Sequence, residues 1–245
     1  MLTISVDRKV FERFPDFRRG IVVATNVNNR GTDPELMTRL AAAVETAANH
    51  PLDLATNPRI LAWTEAHRRF GSNPNRFPPS HLALLKRLQK PGAHLPFVNK
   101  AVAIMSYASI KGVIPVGADD IAKSGYALEL REATGKEIFF PLGQPEAPEA
   151  PAPGEVVYLA ADSGVVMCRR WNWRNGHLSA LSEETRDLVF NVDGLGEDAE
   201  ERAIATRNLV ADLLVRHCWA RVLVGLLRPD QTVFRPCKAM PPPWE

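Results

Sequence analysis

Residues 97–110 read Phe97-Val98-Asn99-Lys100-Ala101-Val102-Ala103-Ile104-Met105-Ser106-Tyr107-Ala108-Ser109-Ile110. Val98, Ala101, Val102, Ile104 and Met105 put apolar groups on nearly every side of a helix, so the stretch predicts a buried one. Its surroundings set the class. Upstream, Asp33 can cap a helix that starts at Pro34, with Leu36, Leu40, Ala43, Val44 and Ala47 as its apolar stripe. Asn57-Pro58 opens another, with Ile60, Leu61 and Trp63 inward, and residues 80–90 form an amphipathic helix with a basic outer face. After Gly112 the pattern changes. Residues 115–120 read as a turn-rich loop, and residues 126–131, 137–142, 155–160, 165–170 and 187–192 read as strands. Asp162-Ser163-Gly164 is a hairpin signal between two of them. Residues 2–6 and 20–26 are early strands, 199–219 a late helix, and 221–227 and 232–235 closing strands. Helices segregate from strands instead of alternating with them, so the expected class is α+β, a mostly antiparallel sheet packed with helices.

The 245 residues suffice for one large unit with its own core, needing neither disulfides nor metal. Residues 141–154 hold five prolines and read as a stiff surface loop; residues 240–245 read as a loosely held tail. A composition of 45% hydrophobic and 24% charged residues excludes wholesale disorder, a coiled coil and a collagen-like repeat. Thirty basic against 28 acidic residues leave a net charge of +2, so any nucleic-acid surface must come from local clustering. Cys168, Cys218 and Cys237 have no metal-type spacing and read as small hydrophobes in a reducing cytosol. The charged N-terminus is not a signal peptide, and no window has the roughly 18 apolar residues of a membrane span. The expectation is a cytoplasmic protein with no membrane partner.

Self-sufficient motifs are missing. There is no phosphate loop, no Gly-x-Gly-x-x-Gly after a strand, no His-Glu-x-x-His and no Gly-x-Ser-x-Gly, and the six histidines include no i, i+4 pair. No cofactor, nucleotide or metal is therefore expected.

Two segments do stand out. The first is Phe70-Gly71-Ser72-Asn73-Pro74-Asn75-Arg76-Phe77-Pro78-Pro79-Ser80, flanked by Arg68, Arg69, Lys86 and Arg87. It reads either as a tight inter-helix turn or as a surface of backbone and amide groups for phosphate or ribose. The second is Cys168-Arg169-Arg170-Trp171-Asn172-Trp173-Arg174. Strand alternation would put Arg170, Asn172 and Arg174 on one face and Arg169, Trp171 and Trp173 on the other. That suits an anionic ligand with a flat group, or a half-buried edge strand with a solvated face.

These segments, with Pro153-Gly154-Glu155-Val156-Val157-Tyr158, resemble the free-standing relatives of the tRNA-editing (B3/B4) domain of the bacterial phenylalanyl-tRNA synthetase beta subunit. The resemblance rests on Phe-Gly-x-Asn-Pro-x-x-Phe-x-Pro-Ser followed by Leu-Leu-x-Arg, and on Cys-Arg-x-Trp-Asn-Trp-Arg. It runs from about Trp63 to Asn191. Residues 103–120, ending Pro115-Val116-Gly117-Ala118-Asp119-Asp120, resemble the synthetase module's helix and its Pro-x-His-Ala-x-Asp loop.

The resemblance implies an α+β editing-domain fold and a stand-alone trans-editing hydrolase that deacylates mischarged aminoacyl-tRNA with water, without metal or covalent nucleophile. The ester is already activated, so positioned water can suffice. Asn172, Arg174 and Asp119 would be catalytic. Asn99, Ser106, Gly117, Ala118 and Asn191 would form the substrate pocket. Arg68, Arg69, Asn73, Arg76, Lys86 and Arg87 would hold the tRNA acceptor end. This chain departs from the synthetase pattern at three positions: Gly117 replaces a pocket histidine, Ser106 a helix asparagine, and Asn191 the glutamate that receives the wrong amino acid's phenol. The alternatives are a non-catalytic tRNA- or RNA-binding module and an amino-acid binder using the same pocket.

Overall fold

The computed structural model describes residues 1–236; the expected tail at 240–245 and Cys237 lie outside the described residues. The chain begins with β1 (Thr3–Val6), α1 (Arg8–Arg13) and β2 (Arg18–Thr25). Four helices follow: α2 (Pro34–Asn49), α3 (Pro58–Arg69), α4 (Ser80–Leu88) and α5 (Lys100–Gly112). Next come β3 (Val116–Asp120), α6 (Ile121–Ser124), β4 (Ala127–Glu132), β5 (Ile138–Phe139), β6 (Val156–Ala160), β7 (Val165–Arg169), β8 (Arg174–Asn175) and β9 (Leu188–Gly194). The described part closes with α7 (Ala199–Cys218), β10 (Arg221–Leu227) and β11 (Val233–Phe234).

The strands form two sheets. One runs β11-β1-β4-β6-β7-β5, with β8 paired to β7; the other runs β10-β2-β9-β3. Among the described residues, only β1–β4 and β5–β7 pair in parallel, and every other ladder is antiparallel. The class is α+β.

The predicted caps form. Asp33 Oδ1 accepts from the Leu36 amide at 2.9 Å, and Asn57 Oδ1 from the Arg59 amide at 3.0 Å. Ile60 and Trp63 face inward as expected, whereas Leu61 points outward. Helix α5 lies among α2, α7 and β3, with Ala101, Ala103, Ile104 and Ala108 buried. Its end comes so close to α7 that a Cβ on Gly112 would sit 2.6 Å from the Thr206 hydroxyl, so glycine is required there. Two apolar clusters result. One joins β1, α1 and the inner face of the larger sheet around Trp171; the other joins α2, α5 and α7 to the smaller sheet.

Two expectations are corrected. Residues 116–120, read as part of a loop, are strand β3, because β9 supplies the ladder that Gly and Asp alone would not favour. Residues 168–174 do not alternate as one strand. Strand β7 stops at Arg169, and Arg170 and Trp171 take left-handed φ values of 47° and 64°. The chain therefore turns back, and Arg174 pairs with Arg169 in the β7–β8 ladder. Arg170, Asn172 and Arg174 form no row.

Candidate active site

A cavity of about 400 Å³ opens between the edge strand β3 and the β7–β8 turn. Its floor begins with Arg19 on β2 and Asp193 on β9, which face each other in register. Arg19 Nε and Nη2 donate to Asp193 Oδ1 and Oδ2, both at 2.7 Å. Asp193 Oδ2 also accepts from Trp171 Nε1 at 3.1 Å, and the Arg19 guanidinium lies over the Tyr158 ring, 4.8 Å from its centroid. Burial works against the Arg19 charge, but the Asp193 carboxylate more than offsets it and holds the arginine protonated.

Asn191 sits two residues before Asp193 on the same face of β9 and opposite Gly117 of β3. Its Nδ2 reaches Asp119 Oδ2 at 3.5 Å, and Ser179 Oγ donates to Asp119 Oδ1 at 2.6 Å. Burial pushes the Asp119 carboxyl up to about 6, against the opposing pull of the Ser179 hydroxyl and Arg19. Burial pushes the Cys168 thiol far above its usual range, so this cavity-lining cysteine is not poised as a nucleophile.

The two motif segments meet at the cavity. The Ser80 amide donates to the Asn172 carbonyl at 3.0 Å, closing the start of α4 onto the turn. Phe77 packs edge-on against Trp173 at 4.7 Å, and the Arg170 guanidinium lies 3.8 Å above the Phe77 ring. Trp171 fills the turn from inside, against Phe14, Phe17 and Trp63. Arg174 and Trp173 stay half-exposed at the rim, where Arg174 lies 3.5 Å from Glu149 of the proline-rich stretch. Leu142 of the same stretch completes that side.

Asn172, Arg174, Asp119, Gly117 and Asn191 thus line one cavity. Three proposed pocket residues do not. Asn99 is the N-cap of α5, its Oδ1 accepting from the Val102 amide at 2.9 Å. Ala118 points the other way from its neighbours on β3, into the second apolar cluster. Ser106 is half-buried on α5, and its neighbour Met105 lines the cavity instead.

The proposed tRNA-binding residues are dispersed. Arg68 pairs with Glu65 at 3.4 Å, and Arg69 lies over Phe14 and donates to the Arg13 carbonyl. Asn73 Oδ1 accepts from the Asn75 amide at 2.9 Å and so braces its own turn. Arg87 donates to the His94 carbonyl at 3.0 Å. Arg76 is exposed beside Phe77 at the rim, and Lys86 is exposed in the last turn of α4.

Arg19 and Asp193 escaped the sequence reading, and Tyr158 entered it only as part of a motif, not as a site residue. The available signals were an arginine directly before the apolar run Gly20-Ile21-Val22-Val23, and an aspartate at i+2 from Asn191. Among the described residues, no three His, Cys, Asp or Glu side chains gather to hold a metal ion, and no helix is long and apolar enough to cross a membrane.

Among the described residues, three buried polar atoms of the side chains that line this cavity have no partner in the protein, Arg19 Nη1, Asn172 Nδ2 and Asn191 Oδ1, and the Tyr158 hydroxyl has only the Asn191 carboxamide beside it. Buried polar groups are nearly always paired, with protein, water or ligand.

The family model of the B3/4 domain matches residues 62–216. Among solved structures, the chain is similar to an N-terminal fragment of the phenylalanyl-tRNA synthetase beta-subunit from Pyrococcus horikoshii, with 12% identity and a TM-score of 0.47. That similarity covers 90% of this chain and 50% of the other, so the chain spans half the length of that structure. No curated protein matches the chain.

Proposed function

The chain belongs to the B3/4 domain family, and on that footing we propose that it is a stand-alone hydrolase of the ester that joins a wrong amino acid to a tRNA. The observation that carries this reading is the cavity itself. Its volume of about 400 Å³ can hold an amino acid, and its lining side chains include donors and an acceptor that the protein leaves unpaired.

The chemistry follows from the positions of the groups. A water oxygen attacks the ester carbonyl carbon, the bond to the ribose oxygen breaks, and that oxygen takes a proton. The products are a free amino acid and a tRNA with its terminal hydroxyl restored. Asn172 Nδ2 donates to the carbonyl oxygen as negative charge develops on it. Such a donor supplies about 3–4 kcal/mol, or roughly 10²–10³ in rate. Asp119, with its carboxyl at about 6, is ionised at neutral pH and accepts the water proton. Arg174 at the rim meets the terminal phosphate, exchanging its ion pair with Glu149 for one with the nucleic acid. Exposed Arg76, beside Phe77, adds a second cation near the entrance.

Incubating the pure protein with a panel of mischarged tRNAs tests the reading. Release of the amino acid from at least one of them, reduced 100-fold or more by Asp119→Asn, supports it. Stability of every ester in the presence of excess protein contradicts it.

A further inference from the structure

We propose that the side chain admitted to this cavity is neutral and polar, with a hydrogen-bond donor and an acceptor at its tip: a carboxamide or a hydroxyl. The inference rests on the cavity being an aminoacyl site, and it names the amino-acid class.

Orientation comes first. The tRNA end is large and anionic and stays outside, by the half-exposed Arg174 and Trp173. The amino-acid side chain is the free end of the substrate, so it points away from the rim and toward the buried floor. That floor is not apolar. Arg19 Nη1 is a spare donor and Asn191 Oδ1 a spare acceptor, and the Tyr158 hydroxyl beside Asn191 keeps capacity for a further bond. Their directions are fixed by what their other atoms do. Arg19 is clamped by the two-pronged Asp193 contact, and Asn191 turns its Nδ2 toward Asp119.

An aliphatic or phenyl side chain would leave these three atoms unpaired. A carboxylate would meet Asp193 and Asp119. A lysine-type cation would meet the like charge of the Arg19 guanidinium at the floor, where Asp193 is already closed by the two-pronged contact. A carboxamide or hydroxyl tip accepts from Arg19 Nη1 and donates to Asn191 Oδ1. Gly117, opposite Asn191, leaves the room: a Cβ built there meets nothing within 4 Å.

Thermal-shift titration with the amides of asparagine, glutamine, threonine, leucine, phenylalanine and lysine provides the test. The carboxamide or hydroxyl amides are expected to bind at least tenfold more tightly than the leucine, phenylalanine and lysine amides. Asn191→Leu is expected to reverse the order in favour of leucine amide, and Tyr158→Phe, which removes one oxygen only, to narrow it. Equal or tighter binding of the leucine, phenylalanine or lysine amide, or binding of none, overturns the inference. Polar amides that bind while no ester is cleaved would sink the hydrolase reading and leave this inference standing. Fastest cleavage of aliphatic or aromatic esters would do the reverse.

Discussion

His67 stands behind Asn172: its Nε2 lies 3.2 Å from Asn172 Oδ1, and both residues are buried. Burial pushes the His67 imidazole down to about 4, so the ring is neutral at physiological pH, and Nε2 carries the hydrogen that the carbonyl oxygen accepts. With Oδ1 held in this way, the Asn172 nitrogen is the atom left to face the substrate. The histidine acts as a positioning residue for the carboxamide.

That relationship predicts a coupled pair. His67→Leu should lower kcat of ester hydrolysis by about tenfold, what roughly 1.4 kcal/mol of lost orientation is worth in rate. It should also destabilise the fold by about 1–3 kcal/mol through the unmade hydrogen bond. In an Asn172→Ala background the same change should leave kcat where Asn172→Ala put it. A double-mutant cycle on kcat and on Tm separates the two roles, because a purely structural histidine would shift Tm while its effects on kcat remained additive.

Gly117 gives the cleanest separation of site from scaffold. No atom lies within 4 Å of a Cβ built there, and β3 tolerates a β-branched residue. Gly117→Val should leave stability within about 0.5 kcal/mol of the parent and lower hydrolysis at least tenfold by filling the cavity. Parallel urea melts and deacylation rates check both halves.

Asp119 sets a pH dependence. Its carboxyl rises from an ordinary 3.8 to about 6 in the folded protein, so the native state binds that proton more tightly than the unfolded chain does. The resulting stability is fully present below about pH 4 and is lost as pH rises through about 6, amounting to about 3 kcal/mol at roughly 1.4 kcal/mol per pKa unit. Asp119→Asn should flatten this part of a stability-against-pH curve. Hydrolysis by the parent should instead rise with pH through the same window, as the base ionises.

The α+β class was legible because residues 97–110 and the strand-patterned segments after them carry periodicities that the packing kept. The capped helix starts at Asp33 and Asn57 were legible for the same reason, since the side-chain chemistry there is local. What failed depended on distant partners. Val116-Gly117-Ala118-Asp119-Asp120 has no strand signature of its own and is made a strand by β9. The left-handed Arg170 and Trp171 broke the alternation assumed for their segment, yet the turn still delivers Asn172 and Arg174 to the cavity. Asn99 was expected in the pocket from the resemblance, but it caps the buried helix. Arg19 was hidden by its setting at the start of an apolar strand, where only the partner Asp193 on β9 makes it intelligible.

The central claim is that one cavity holds an aminoacyl group between Arg19 and Arg174. A crystal structure with an aminoacyl-adenosine analogue, its ester replaced by an amide, tests it directly. The expected result places the acyl carbonyl oxygen within about 3.2 Å of Asn172 Nδ2, an ordinary hydrogen-bond length, with the side chain toward Arg19 and the adenosine outside the rim. An analogue bound elsewhere on the protein, or seated with its adenosine against Asp193, would contradict the account.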